Sequence, residues 1–197
     1  VGITPAKLPQ VLALRTGGAD VSVVLDTVEQ AQAVAQASRQ AGTRIPALIE
    51  IDCDGHRSGV LPTDRQLLVA IGNALHDDAE LRGVITHAGA SYLVRGTGSL
   101  RRCAEVERRS VVDAATLLRE AELPCPVVSV GSTPTAHNAT DLGGVTEVRA
   151  GVFVFFDLVM AGIGVCQVDD IALSVLATVI GHQREDGRIR VRPGQSF

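Results

Sequence analysis

Short runs of Val, Ile and Leu alternate along the chain with longer segments in which apolar residues return every three or four positions. Residues 21–25 (VSVVL) read as a strand, and residues 27–40 as a helix with Val28, Ala31, Val34 and Ala35 on one face and Gly42 as its stop signal. Residues 47–52 (ALIEID) form the next strand, a loop runs through Gly59, and a helix over 64–75 is entered through Pro62 and Thr63. The pattern repeats with a strand over 81–86, a long helix over 100–121, a strand over 126–130 and a short strand over 146–148; residues 4–14 are helix-like. Strands separated by helices call for a parallel sheet with right-handed crossovers, met by a doubly wound sheet or a (β/α)8 barrel. In a barrel, ligand groups sit at the C-terminal strand ends. The polar, Gly-rich segments 52–59, 86–92, 129–135 and 149–152 fall there, which favours the barrel. The expected fold is α/β, a partial (β/α)8 TIM-like barrel of about five βα units over residues 1–165, with its first strands missing. Residues 166–197 break the pattern: a β-branched run over 170–180, a polar turn over 182–187 and a second run over 189–191 predict a hairpin that begins a truncated C-terminal β domain.

Composition narrows the partners. With 197 residues, 46% of them hydrophobic and 20% charged, the chain suits one folded domain and is a poor candidate for disorder. Only 3% are aromatic, so the core must come from Val, Ile, Leu and Ala, a mixture that tilts toward packed helices over a Val-rich sheet. The same scarcity, with a net charge of -4, argues against nucleic acid. No apolar run is long enough to cross a membrane and no secretory signal opens the chain, so a cytoplasmic protein is expected. The 4 cysteines lack any C-x-x-C pair and read as reduced, mostly buried thiols.

Four segments carry candidate chemistry. Glu50 and Asp52 alternate on one strand face, and the loop beyond them presents Arg57 at the strand mouth; a loop arginine is as readily solvated. His87 and Tyr92, the sole tyrosine, follow the strand that ends at Thr86. A lone histidine at a strand end is more often structural than catalytic. Ser129, Gly131 and Ser132 surround the end of the next strand, and Gly151 and Val152 follow Arg149. Small and hydroxyl residues there leave backbone N–H groups open to an anion, although such turns are common everywhere.

Taken in order, IEIDCDGHRSGV (49–60), THAGASY (86–92), VSVGSTPT (128–135) and TEVRAGVFVFFD (146–157) resemble the D-threonine aldolase and D-serine dehydratase-like group. That group lies within the alanine racemase N-terminal barrel family of pyridoxal 5'-phosphate (PLP) enzymes. The resemblance implies a cofactor-binding set of Arg57, His87, Tyr92, Ser129, Gly131, Ser132, Gly151 and Val152. Arg57 would bond the phenolic oxygen of PLP. Gly131 and Ser132, with Gly151 and Val152, fall at the phosphate-binding turns. His87 and Tyr92 would line the pyridine ring, Tyr92 as an uncharged partner of its nitrogen. The resemblance further implies a small-molecule D-amino acid substrate whose β-hydroxyl is eliminated or whose Cα–Cβ bond is cleaved. It also implies a homodimer in the full-length family and a divalent metal, zinc or manganese, whose ligands are not in this chain.

One departure stands out. The family holds PLP as a Schiff base on a lysine at the end of its first barrel strand, and nothing here matches it. Lys7, the sole lysine, precedes a helix and reads as a surface residue, so no catalytic residue is assigned. The expectation is a chain truncated at both ends and inactive alone. The alternatives are a non-catalytic PLP-binding protein and a remnant that folds by pairing with a missing segment or another subunit.

Overall fold

The computed structural model describes residues 2–193. Five parallel strands form one sheet in sequence order: β1 (Val23–Leu25), β2 (Pro46–Ile51), β3 (Glu80–Thr86), β4 (Val127–Val130) and β5 (Glu147–Val148). A simple sequential order with helical connections is barrel topology, and every strand points its C-terminal end the same way. The connections are α1 (Leu8–Thr16) ahead of β1, α2 (Val28–Ala41), α3 (Arg65–His76), α4 (Thr97–Glu120) and α5 (Thr133–Asn138), with α6 (Leu158–Ile163) after β5. Upstream of β1, Gly2 makes an isolated parallel bridge to Val24, and the Ile3 N–H donates to the Val24 carbonyl at 3.0 Å.

Local chemistry sets the helix ends. Thr27 and Gln30 form a reciprocal capping box on α2, and Gly42 closes that helix in the left-handed region at φ 63°. Asp64 caps α3, Ser132 caps α5 and Asp157 caps α6, each through a side-chain oxygen that accepts a first-turn N–H. The start of α4 lies at Thr97, three residues ahead of the periodic apolar stripe that begins at Leu100.

The core is the one the composition predicts. Val23, Leu25, Ile49, Ile51, Val84 and Val128 are all at most 2% exposed, so the buried centre is a Val- and Ile-rich sheet faced by the apolar stripes of α2, α3 and α4. A parallel sheet covered by helices needs no aromatic filler.

Two differences from the expectation concern the C-terminal segment and the connections. The β-branched run over 170–180 is not one strand. Val168–Asp170 make a 3₁₀ turn, and the hairpin consists of β6 (Ala177–His182) and β7 (Ile189–Pro193), antiparallel. Among the described residues, none pairs with 171–176 along a strand. Short helices α5 and α6 sit where the hydrophobic pattern is too brief to show a period. The cysteines are free as expected, with Cys125 and Cys166 buried and Cys53 and Cys103 half-buried.

Candidate cofactor-binding site

The loop after β2 is held by its own acids. Asp52 Oδ1 accepts the N–H groups of Asp54 at 3.3 Å and Gly55 at 2.8 Å, an Asx turn. The loop returns to the sheet through Val60, whose N–H donates to Glu50. Gly59 makes that return possible: at φ 135°, a Cβ there would lie 2.4 Å from the Asp52 nitrogen. Asp54 Oδ2 then reaches the loop after β3, accepting the Ala90 N–H at 2.8 Å. The exposed Arg57 packs on that second loop, since a Cβ on Gly89 would sit 3.3 Å from Arg57 Cγ and 3.4 Å from its Nε.

On the second loop His87 and Tyr92 stack, with ring centroids 5.8 Å apart and planes 14° apart. Both are half-buried. Burial, reinforced by the positive charges of Arg57 and Arg149, pushes the His87 pKa below its ordinary value, so the imidazole is neutral near pH 7. Burial raises the Tyr92 phenol in turn. Among the described residues, Nε2 of His87 and Oγ1 of Thr133 are buried polar atoms without a hydrogen-bond partner. Such groups are costly unless something else satisfies them.

The third and fourth segments interlock. Arg149 donates from Nε to Ser129 Oγ at 2.8 Å and from Nη2 to the Thr86 carbonyl. Ser129 Oγ donates to Glu147 Oε1 at 2.5 Å. Gly131 lets Arg149 pass, because a Cβ there would lie 2.6 Å from the Arg149 carbonyl oxygen. Ser132 Oγ lies 3.1 Å from Ser91 Oγ and 2.7 Å from Thr135 Oγ1, and it accepts the Thr135 N–H as the cap of α5. Val152 packs with Tyr92 around buried Met160 and Ile163, whereas Gly151 is exposed with open space around it.

Of the eight residues singled out from the sequence, His87 and Tyr92 stack, Ser91 ties Ser132 to their loop, Arg149 links Ser129 with Gly131, Val152 packs with Tyr92, Arg57 packs on Gly89, and Gly151 stands next to Val152. The Gly131 N–H, the Ser132 hydroxyl and the Ser129 hydroxyl are all engaged within the protein. Thr133, whose hydroxyl is unpartnered, was not singled out, although it stands in the same turn. Two other residues were missed. Arg149 was read only as the lead-in to Gly151, and Glu107, on α4, was read as part of a helix. Glu50 points into the same region, and its carboxyl is raised by burial and by Asp26 while Arg149 and Arg57 pull it down. Lys7 lies in an exposed one-turn 3₁₀ helix, Pro5–Lys7. Among the described residues no group of three or more His, Cys, Asp or Glu is placed to hold a metal ion, and no helix is long and apolar enough to cross a membrane.

A parallel α/β sheet in barrel order, with its polar loops gathered at the strand ends, defines a barrel of the TIM type. The alanine racemase N-terminal domain model matches residues 3–159, and the chain belongs to that family. It is 57% identical over 188 residues to D-threo-3-hydroxyaspartate dehydratase of Delftia sp. (strain HT23), covering 95% of this chain and 50% of the relative. The solved structure of the Delftia enzyme superposes with a TM-score of 0.90 over 94% of this chain and 49% of that one. An alanine racemase-like protein from Idiomarina loihiensis is 44% identical, with a TM-score of 0.87, over 96% of this chain and 50% of that one. D-serine dehydratase of Dictyostelium discoideum is 26% identical over 205 residues, 98% of this chain and 52% of the relative. The chain therefore spans about half the length of these relatives.

Proposed function

We propose that these residues form the PLP-binding part of a lyase acting on β-hydroxy D-amino acids, of the dehydratase or aldolase type. The observation that carries the reading is the stacked His87–Tyr92 pair, with an unsatisfied His87 Nε2, on a loop that Arg57 packs against and that Ser91 ties to Ser132 of the next turn. The residues fit a flat, phosphorylated, anionic ring. Arg57 supplies a cation for the phenolic oxygen. Thr133 supplies a free hydroxyl for the phosphate, with Gly151 and Val152 on the facing turn. Tyr92, kept as a neutral phenol by burial, would pair with the ring nitrogen without donating a full charge. PLP, when bound, withdraws electrons from the substrate's Cα and so eases breaking of its bonds. Tyr92 and the neutral His87 would moderate that withdrawal by leaving the ring nitrogen unprotonated.

D-threo-3-hydroxyaspartate dehydratase is the relative at 57% identity, which makes elimination of a β-hydroxyl the favoured reaction for the whole protein. A metal that polarises this hydroxyl, and a homodimer, remain part of the proposal. Because Lys7 is exposed, the 197 residues alone are expected to bind the cofactor without turnover.

Binding is tested with pyridoxamine 5'-phosphate, whose amine cannot form an imine with Lys7 or the amino terminus. Saturable binding by fluorescence is expected, and Arg57→Ala and Thr133→Val should each weaken it by roughly tenfold, the effect of losing one charge-assisted or buried hydrogen bond. Absence of binding overturns the reading. A borohydride-reducible PLP adduct confined to Lys7 would favour the alternative of a non-catalytic PLP carrier.

A further inference from the structure

Glu107 is the one carboxylate in the apolar stripe of α4. Leu100, Ala104, Glu107, Val111, Ala114 and Leu118 follow one another at spacings of three and four, and all face the sheet. At 2% exposure Glu107 is as buried as the leucines around it. A charge placed there costs several kcal/mol unless it is well bonded. The bonds it makes are specific. Glu107 Oε1 accepts two backbone N–H groups, from Ala88 and from Gly131, each at 3.0 Å. Ala88 follows His87 on the loop after β3, and Gly131 opens the turn after β4. One oxygen atom therefore joins two loops that belong to different βα units. Thr135 on α5 and Arg149, at the end of β5, face the same carboxylate.

We infer that Glu107 is a positioning residue that fixes the His87–Tyr92 loop and the Gly131–Thr133 turn in one frame, so that ring and phosphate contacts are presented at a set separation. The inference rests on the cofactor reading above. Neither backbone N–H that Glu107 holds is available to a ligand, so it acts through the loops and touches nothing that reacts. Its useful property is reach: a buried acceptor at the end of two methylenes, able to take two converging N–H groups at once. Charge is secondary, because an amide oxygen of the same reach accepts both bonds.

Two variants separate reach from charge. Glu107→Gln keeps the acceptor and removes the charge. Glu107→Asp keeps the charge and withdraws the acceptor by one methylene. Pyridoxamine 5'-phosphate affinity is expected to stay within about threefold of the unsubstituted chain in Glu107→Gln and to fall by roughly tenfold or more in Glu107→Asp, the consequence of leaving buried N–H groups unpaired. Amide hydrogen exchange provides the second measurement and needs no ligand. Ala88 and Gly131 should be protected together in the unsubstituted chain and in Glu107→Gln, and should lose protection together in Glu107→Asp while the Leu118 amide keeps its own. The reverse order, with Glu107→Asp intact and Glu107→Gln impaired, would overturn the inference by showing that charge is what matters. Fast exchange at Ala88 and Gly131 in the unsubstituted chain would also overturn it, even if both variants failed to fold. If the unsubstituted chain binds no pyridoxamine 5'-phosphate, the cofactor reading fails, while the exchange pattern still decides whether Glu107 holds the two loops.

Discussion

Gly131 and Gly151 look alike in the sequence, each following a strand end in a turn suited to an anion, yet their surroundings differ sharply. A Cβ on Gly131 would meet the Arg149 carbonyl oxygen at 2.6 Å and its Cβ at 2.8 Å, whereas nothing lies within 4 Å of one on Gly151. Backbone cannot swing aside as a flexible side chain can. Gly131→Ala is therefore expected to destabilise the fold by about 1–3 kcal/mol in urea unfolding, as overpacking does, and Gly151→Ala by about 0.5 kcal/mol or less. Equal effects would contradict the close approach of Arg149. His87 yields a pH prediction. Its pKa is lowered by folding from 6.5 because burial and the two arginines disfavour the charged ring. Above 6.5 the histidine is neutral folded and unfolded and contributes nothing. As pH falls below 6.5 the unfolded chain takes up a proton that the folded chain refuses, so stability declines until the folded pKa is passed. Replacing His87 with Gln should flatten the stability profile in that window, and an unchanged slope would show that the ring titrates freely. Glu107 shows why such residues escape a reading of the sequence. RCAEVERRS looks like a solvated, charged face, and only the three- and four-residue spacing from Leu100 to Leu118 betrays that Glu107 belongs to the buried stripe. Arg149 gave no such clue, since its role comes from Gly131, Ser129 and Thr86, distant in sequence and joined only by the sheet.

At the scale of elements, the strands and long helices were legible because each carries its own pattern: the short Val-, Ile- and Leu-rich runs of the strands, and the helical returns of α2, α3 and α4, locate their elements to within a few residues. What failed depended on partners. Residues 170–176 have the β-branched content of a strand, but extended backbone needs a neighbour to hydrogen-bond, and the described residues of β7 pair with 177–182. The start of α2 shows local and distant effects together. Thr27 Oγ1 accepts the Gln30 N–H at 3.2 Å, Gln30 Oε1 accepts from Asp26 and Thr27, and Gln30 Nε2 donates to the Ile3 carbonyl at 3.1 Å. The cap therefore ties the helix to the segment that bridges β1. Thr27→Ala is expected to cost about 1 kcal/mol by urea unfolding. A loss near zero would mean that Gln30 alone maintains the helix start.

Across the whole molecule, stability is unevenly placed. β2 and β3 pair over six positions at the centre of the sheet, covered by helices, and their inward residues include Ala47, Ile49, Val84 and Ile51, each at most 1% exposed. The β6–β7 hairpin is paired over five positions, yet every residue of β6 is exposed apart from half-buried Gly181, and Val179 and Ile180 are more than 60% exposed. A two-stranded hairpin with no covered face is marginal in water, because its hydrogen bonds alone do not offset the chain entropy lost in ordering it. The two sheets should therefore open in separate steps. In native-state hydrogen exchange the amides of β2 and β3 should exchange only through global unfolding, while those of β6 and β7 exchange through a local opening of far lower free energy that barely changes with denaturant. Equal protection in both sheets would show that the apolar side chains of the hairpin are covered in solution, and dilution would then reveal whether a second copy of the chain covers them.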